Sequence, residues 1–196
     1  MNYHGIVKDD MNNGQGMRVT VFLSGCNHRC KGCQNPETWD NNSGVPFTDE
    51  NMETILEFAS DPYITGLTLS GGDPLNIKNL TGFDSTTKTK SEWSSLRICK
   101  AFKERYPKKN IWVYTGYTFE ELEDLSYVFA DMNNAENGYP YDHLEELMSL
   151  IDVLVDGRFD EKLADSNYHW AGSTNQRVIN IPESWGTGVV TEIDEY

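Results

Sequence analysis

The sequence predicts an α/β protein, an open partial (β/α) barrel built on a mostly parallel sheet. Runs rich in β-branched residues alternate with runs of helical period along the chain, and such alternation places parallel strands beneath flanking helices. Only four or five strand-like runs are present, too few for a closed eight-stranded barrel. Each chemically unusual stretch also falls directly after one of those runs.

Taken in order, the first strand is Arg18-Val19-Thr20-Val21-Phe22-Leu23, stopped by Ser24-Gly25. Thr48-Asp49-Glu50 opens a helix with Met52, Ile55, Leu56 and Ala59 on one face, ending before Pro62. Leu67-Thr68-Leu69-Ser70 is the second strand, stopped by Gly71-Gly72-Asp73-Pro74. Leu96, Cys99, Phe102 and Tyr106 recur at helical spacing. A helix therefore runs from near Ser94 to Tyr106, with Cys99 facing the core. Ile111-Trp112-Val113-Tyr114-Thr115 is the third strand, closed by Gly116. Thr118 with Glu121 forms a capping box for the next helix, and Asp142 with Glu145 offers a similar start for another. Ile151-Asp152-Val153-Leu154-Val155 is the fourth strand, and a weaker one lies at Arg177 to Ile181. Thr81–Glu92 and Ala130–Pro140 are expected as polar surface loops. The tail, about 182–196, has no Lys or Arg and carries Glu183, Glu192, Asp194 and Glu195. It is expected as a solvated tail or an arm for a partner.

At 196 residues the chain suits a single domain, residues 1–196. Its 16 Lys+Arg against 31 Asp+Glu leave a formal charge of −15, which argues against a nucleic-acid partner. No apolar run approaches the ~20 residues that cross a bilayer. The N-terminus shows no basic-then-apolar export pattern. A cytoplasmic protein without a membrane partner is expected.

Three of the four cysteines crowd into Cys26-Asn27-His28-Arg29-Cys30-Lys31-Gly32-Cys33, and Cys99 stands apart. A secreted disulfide framework spreads its cysteines along the chain, so this cluster reads instead as thiolate ligands. A closed zinc site takes four protein ligands, for which His28 is the candidate fourth. A cluster that only transfers electrons takes four cysteines, and C-x3-C-x2-C has no nearby fourth. Three thiolates leave one iron of a cluster open, and an open metal position is where chemistry takes place.

The cysteine loop follows the first strand, Gly71-Gly72-Asp73 the second, Gly116-Tyr117 the third and Asp156-Gly157-Arg158 the fourth. In parallel α/β folds ligands bind at the carboxyl ends of the strands, so four segments converge on one edge. Gly71-Gly72 makes a turn or lets a bound molecule approach the backbone closely. Asp73 beside it supplies a carboxylate suited to an ammonium group. No Asp or Glu occurs from Met11 through Pro36, while Arg18, Arg29 and Lys31 make that stretch positive. This asymmetry either compensates a thiolate-bound cluster or forms a docking face for an acidic electron donor.

Cys26-x3-Cys30-x2-Cys33 resembles the signature of the radical S-adenosylmethionine enzymes. Within that superfamily the chain resembles the family that activates anaerobic (class III) ribonucleoside-triphosphate reductase. The matching pieces begin with Met1-Asn2-Tyr3-His4, Ser24-Gly25-Cys26-Asn27-His28, Lys31-Gly32-Cys33-Gln34-Asn35 and Ser70-Gly71-Gly72-Asp73-Pro74-Leu75. Further along come Ile111-Trp112-Val113-Tyr114-Thr115-Gly116-Tyr117, Val153-Leu154-Val155-Asp156-Gly157-Arg158-Phe159 and Trp170-Ala171-Gly172-Ser173-Thr174-Asn175-Gln176. Together they cover most of residues 1–180.

The resemblance implies a 4Fe-4S cluster on Cys26, Cys30 and Cys33, whose unique iron binds the amino and carboxylate groups of S-adenosylmethionine. It further implies a reduced flavodoxin-like electron donor, release of a 5′-deoxyadenosyl radical, and hydrogen abstraction from a glycine of the reductase. The cofactor then carries the hard chemistry and no side chain acts as catalytic acid or base. By position, Gly32, Cys33, Gln34 and Gly72 line the S-adenosylmethionine pocket. Asp73 stands where many relatives have Glu and contacts the methionyl amine. Asp156 and Arg158 are further contacts or an ordinary surface ion pair. Two departures bear on how the adenine is packed: Gly32 stands where many superfamily members carry an aromatic, and Gln34 where close relatives often place Tyr. A small-molecule enzyme of the same superfamily would keep the cofactor and change the substrate. A zinc-stabilised interaction module is the alternative outside it.

Overall fold

A computed structural model describes residues 1–84, 87–132 and 141–193. Its elements are β1 (Asn2–Asp10), β2 (Met17–Leu23), β3 (Val45–Pro46), α1 (Asp49–Ala59), β4 (Ile64–Gly71) and α2 (Ile77–Thr81). Next come β5 (Phe83–Asp84), β6 (Thr89–Lys90), α3 (Ser95–Arg105), β7 (Asn110–Tyr114), α4 (Phe119–Met132) and α5 (Tyr141–Met148). β8 (Val153–Asp156), β9 (Arg177–Asn180) and α6 (Ile181–Ser184) complete them.

The fold is mixed α/β. Seven strands form one sheet in the order β3-β1-β2-β4-β7-β8-β9. Its four central strands, β2, β4, β7 and β8, are parallel, and they correspond to the four strands expected from sequence. β1, β3 and β9 flank them antiparallel. The two outermost strands do not pair with each other, so among the described residues the sheet is not a closed barrel.

Alternation along the strands explains the layering, since successive side chains point to opposite faces. Ile111, Val113, Leu154 and Ile179 join the large core against the helices, with Ile55, Ile98, Phe102 and Leu122. Trp112, Val153, Val155 and Val178 form a second, smaller cluster. Arg18 lies over the Trp112 ring at 5.2 Å and donates through Nε to Thr68 Oγ1 at 2.7 Å. Cys99 is fully buried, as its helical spacing predicts.

The helix starts follow local chemistry. Ser94 Oγ accepts from the Arg97 amide at 3.2 Å. Thr118 N donates to Glu121 Oε2 at 2.9 Å while Glu121 N donates to Thr118 Oγ1 at 3.2 Å, the reciprocal box read from sequence.

Two expectations need correction. Thr81–Glu92 is not simply a loop: Gly82, at φ +74°, caps α2, and β5 pairs with β6. Strands of two residues are too short to show a period. The tail is not free in solvent through Ile193. Asn180 N donates to Thr191 O and Ile193 N to Val178 O, both at 2.8 Å, so the chain returns along β9. Trp185 packs edge-on against Phe119, with ring centroids 5.5 Å apart. The aromatic outweighs the acidic composition there, because it has apolar surface to bury. The expected loop at 130–140 falls outside the described residues beyond Met132, as do residues 194–196.

Candidate metal centre

The parallel register sets the four strand ends on one edge, and backbone hydrogen bonds tie them together. Gly72 N donates to Leu23 O at 2.7 Å, Asp73 N to Gly25 O at 2.7 Å, and Thr115 N to Val155 O at 2.9 Å. The convergence expected from sequence is therefore a physical contact between loops.

The cysteine loop leaves β2 through Gly25, at φ +100°, where glycine avoids the steric cost of that conformation. Its neck is closed by Gly25 N to Thr38 O at 2.7 Å and Cys26 N to Trp39 O at 3.0 Å. Inside it, Cys33 N donates to Cys30 O at 3.1 Å, and Gly32 sits at φ +75°.

Cys26, Cys30 and Cys33 are half-buried and free of disulfides. Burial pushes the Cys26 and Cys30 thiols up, while hydrogen bonds from the backbone at His28 and Arg29 to Cys26, and at Phe159 to Cys30, work the other way. Asn35 N donates to Cys33 Sγ at 3.4 Å. Amides aimed at sulfur favour the thiolate that an iron–sulfur cluster requires. Among the described residues, no three His, Cys, Asp or Glu side chains are gathered tightly enough to hold a single metal ion. The donor set, three thiols on one loop with an amide turned toward sulfur, suits an iron–sulfur cluster.

The Nε2 of His28 is engaged by a carboxylate and so is not free to complete a zinc site. It lies 2.8 Å from Asp73 Oδ2, and the His28 ring packs edge-on against Tyr117 with centroids 4.6 Å apart. Asp73 is buried and also accepts from Thr115 Oγ1 at 3.0 Å, Gly116 N at 3.1 Å and Leu75 N at 2.8 Å. Sequence reading marked Asp73 and left Thr115 and His28 without this role. The signal was present in Thr115, a hydroxyl at the end of the third strand.

The other expected residues divide by position. Gly72 lies against Gly25, and a Cβ there would stand 2.6 Å from Gly25 O, so the chain's own backbone makes the close approach. Gly32 and Gln34 are exposed on the loop, with Glu161 near the first and Gly172 near the second. Asp156 is buried, accepting from Phe119 N at 2.8 Å and Arg177 Nε at 3.1 Å. Arg158 forms an ion pair with Glu121 at 3.0 Å. Beside the loop a cleft of about 370 Å³ is lined by Lys31, Arg158, Phe159 and Asn175 among others. Arg18 is fully buried, so it adds nothing to a positive face; Arg29 and Lys31 remain exposed.

Residues 12–179 match the family model described as a 4Fe-4S single cluster domain, which makes this an iron–sulfur protein of that domain class. A protein of Vibrio cholerae, the anaerobic ribonucleoside-triphosphate reductase-activating protein, is 38% identical over 178 residues, covering 90% of this chain and 96% of the relative. The protein of the same name from Escherichia coli is 38% identical over 183 residues, 92% of this chain and 99% of its own. That of Enterobacteria phage T4 is 35% identical over 178 residues, 91% and 93%. The chain belongs to the family of anaerobic ribonucleoside-triphosphate reductase-activating proteins.

Proposed function

We propose that this chain is a glycyl-radical-activating oxidoreductase that activates an anaerobic ribonucleoside-triphosphate reductase by reductive cleavage of S-adenosylmethionine at a 4Fe-4S cluster. The observation that carries this reading is the cysteine loop, with three free, half-buried thiols and amides turned toward sulfur, in a chain of this family. When bound, the cluster supplies one electron to S-adenosylmethionine, releasing methionine and a 5′-deoxyadenosyl radical that takes a hydrogen atom from a glycine of the reductase.

The chain's own residues bind and orient. Cys26, Cys30 and Cys33 give up their protons to become ligands. Gly32, Cys33, Gln34 and Gly72 line the S-adenosylmethionine pocket. Asp73, next to Gly72, is the carboxylate whose charge would favour the methionyl ammonium. Arg29 and Lys31, with no acidic residue from Met11 through Pro36, favour an acidic, reduced flavodoxin-like donor. In this reading the sheet is a partial (β/α) barrel, residues 1–196 act as one domain, and the setting is the cytoplasm. No helix among the described residues is long and apolar enough to cross a membrane.

Anaerobic reconstitution should give a brown protein with about four irons that cleaves S-adenosylmethionine on reduction. Mixing with the reductase should produce a glycyl radical in electron paramagnetic resonance. Cys30→Ala should lose both. Normal cleavage by Cys30→Ala, or a colourless protein with one zinc, would overturn the reading.

A further inference from the structure

We propose that His28 and Asp73 form a latch that holds the cysteine loop against the ends of β4 and β7, so that both act as positioning residues for the three thiols. The loop around His28 is exposed or half-buried, yet the His28 side chain is only 6% exposed and that of Asp73 only 2%. The imidazole enters a slot built for it. A Cβ at Gly116 would stand 2.4 Å from His28 Cδ2, so glycine is required where the ring passes. Tyr117 closes the slot edge-on at an interplanar angle of 80°.

At the bottom of the slot Asp73 receives His28 Nε2 on Oδ2, which also accepts from Gly116 N at 3.1 Å and Thr115 Oγ1 at 3.1 Å. Oδ1 accepts from Leu75 N at 2.8 Å and Thr115 Oγ1 at 3.0 Å. One carboxylate thus joins three segments: the turn after β4, the turn after β7 and the middle of the cysteine loop. A carboxylate so saturated has little capacity left to accept directly from a ligand.

The arrangement matters because of where His28 stands, between Cys26 and Cys30. The loop's neck is fixed by backbone bonds at Gly25 and Cys26. Farther along, Lys31 pairs with Glu161 at 2.9 Å, but the Lys31 side chain is almost wholly in solvent, and such pairs add little. Beside the backbone bond from Phe159 to Cys30, the buried bond to Asp73 is therefore a side-chain anchor that holds the middle of the loop to the sheet edge. That the placed thiols serve a cluster rests on the function proposed above; the latch itself belongs to the apoprotein.

Hydrogen exchange of the metal-free protein tests this, read as the rate in amides 26–33 relative to amides of α1 and α3. His28→Ala should raise that ratio about tenfold or more, the loss of a buried charge-assisted hydrogen bond. His28→Gln, whose amide nitrogen can reach the same carboxylate, should restore it. His28→Ala with Asp73→Ala should be no faster than Asp73→Ala alone, because the two residues share one bond. If Asp73→Ala fails to fold, the two His28 variants carry the test. An unchanged ratio in His28→Ala, no rescue by His28→Gln, or additive effects in the double variant would overturn the latch. Iron and sulfide content after reconstitution is read separately. A wild-type protein that takes up no cluster yet shows the exchange pattern defeats the proposed function and leaves the latch standing.

Discussion

The amide of Asp73 donates to the carbonyl of Gly25 at 2.7 Å, which ties the turn after β4 to the first residue of the cysteine loop. Gly72 lies inside this contact, and a Cβ on it would meet Gly25 O at 2.6 Å and Gly25 N at 2.9 Å. Both neighbours are backbone, so neither can rotate away. Gly72→Ala is expected to destabilise the protein by about 1–3 kcal/mol, the usual cost of overpacking, and to lower the iron bound on reconstitution. Gly5→Ala, with nothing within 4 Å of its added Cβ, is the control and should leave iron binding unchanged. Denaturant unfolding and iron analysis measure the two effects.

Arg18 is a fully buried cation in a strongly acidic chain. It donates to Thr68 Oγ1, Asn110 Oδ1 and Leu67 O, each at 2.7 Å. Burial pulls its pKa down to about 10, still well above neutrality. Arg18→Met leaves the Leu67 carbonyl and the Asn110 amide oxygen without this donor. A loss of about 3 kcal/mol is expected, since each buried acceptor left unpaired carries its desolvation penalty. Equilibrium urea unfolding checks it. Because Arg18 lies at the start of β2 and the cysteines follow its end, S-adenosylmethionine cleavage by the folded variant should be unchanged.

How far the sequence was legible follows from what each element encodes locally. β2, β4, β7 and β8 are apolar, β-branched runs with glycine after them, so both their existence and the edge where their loops meet were readable. β1 was not: from Asn2 to Asp9 its residues are half-buried or exposed without strict alternation, the weak pattern of a strand near a sheet edge. The turn glycines were read either as a turn or as room for a ligand, and the sequence did not show that the backbone of Gly25 and Leu23 lies beside Gly72 and Gly71. Such approaches depend on strand register, which no local run of residues encodes. The same holds for Arg18, whose charge was visible and whose burial on Trp112 was not. Cys99 was legible because helical spacing alone put it in the core, where burial pushes its thiol up to about 12.

Acid should weaken the contact between α4 and the end of β8. Arg177 bonds Glu120 Oε1 at 2.9 Å and Oε2 at 2.8 Å while also pairing with buried Asp156. Its hydrogen bonds hold the Glu120 carboxyl down to about 2, against an ordinary 4.5. A carboxylate lowered on folding contributes stability that is present above the unfolded value and is lost as pH falls through the folded one. The wild type should therefore exceed Glu120→Gln in stability at neutral pH, and the difference should vanish between about pH 4.5 and pH 2. The Glu120 side chain is 58% exposed, so solvent screening keeps the difference below about 1 kcal/mol. Urea unfolding of both proteins across that range measures it.

Trp185 separates two roles for the acidic tail. Its ring packs against Phe119 at the start of α4, and its Nε1 donates to Glu145 Oε2 on α5 at 3.0 Å. Ser126 Oγ on α4 donates to the other oxygen of the same carboxylate at 2.6 Å. The tail residue thus clamps two helices through one glutamate. A structural clamp predicts that Trp185→Ala costs about 2 kcal/mol, less than a fully buried tryptophan because the ring is half-exposed. It also predicts that reductase activation per folded molecule stays at the wild-type level below the melting temperature. A partner-binding arm predicts the reverse, with the unfolding midpoint unmoved and activation falling as the reductase binds more weakly. Thermal unfolding paired with a titration of the reductase distinguishes them, and the two hydrogen bonds to Glu145 favour the clamp.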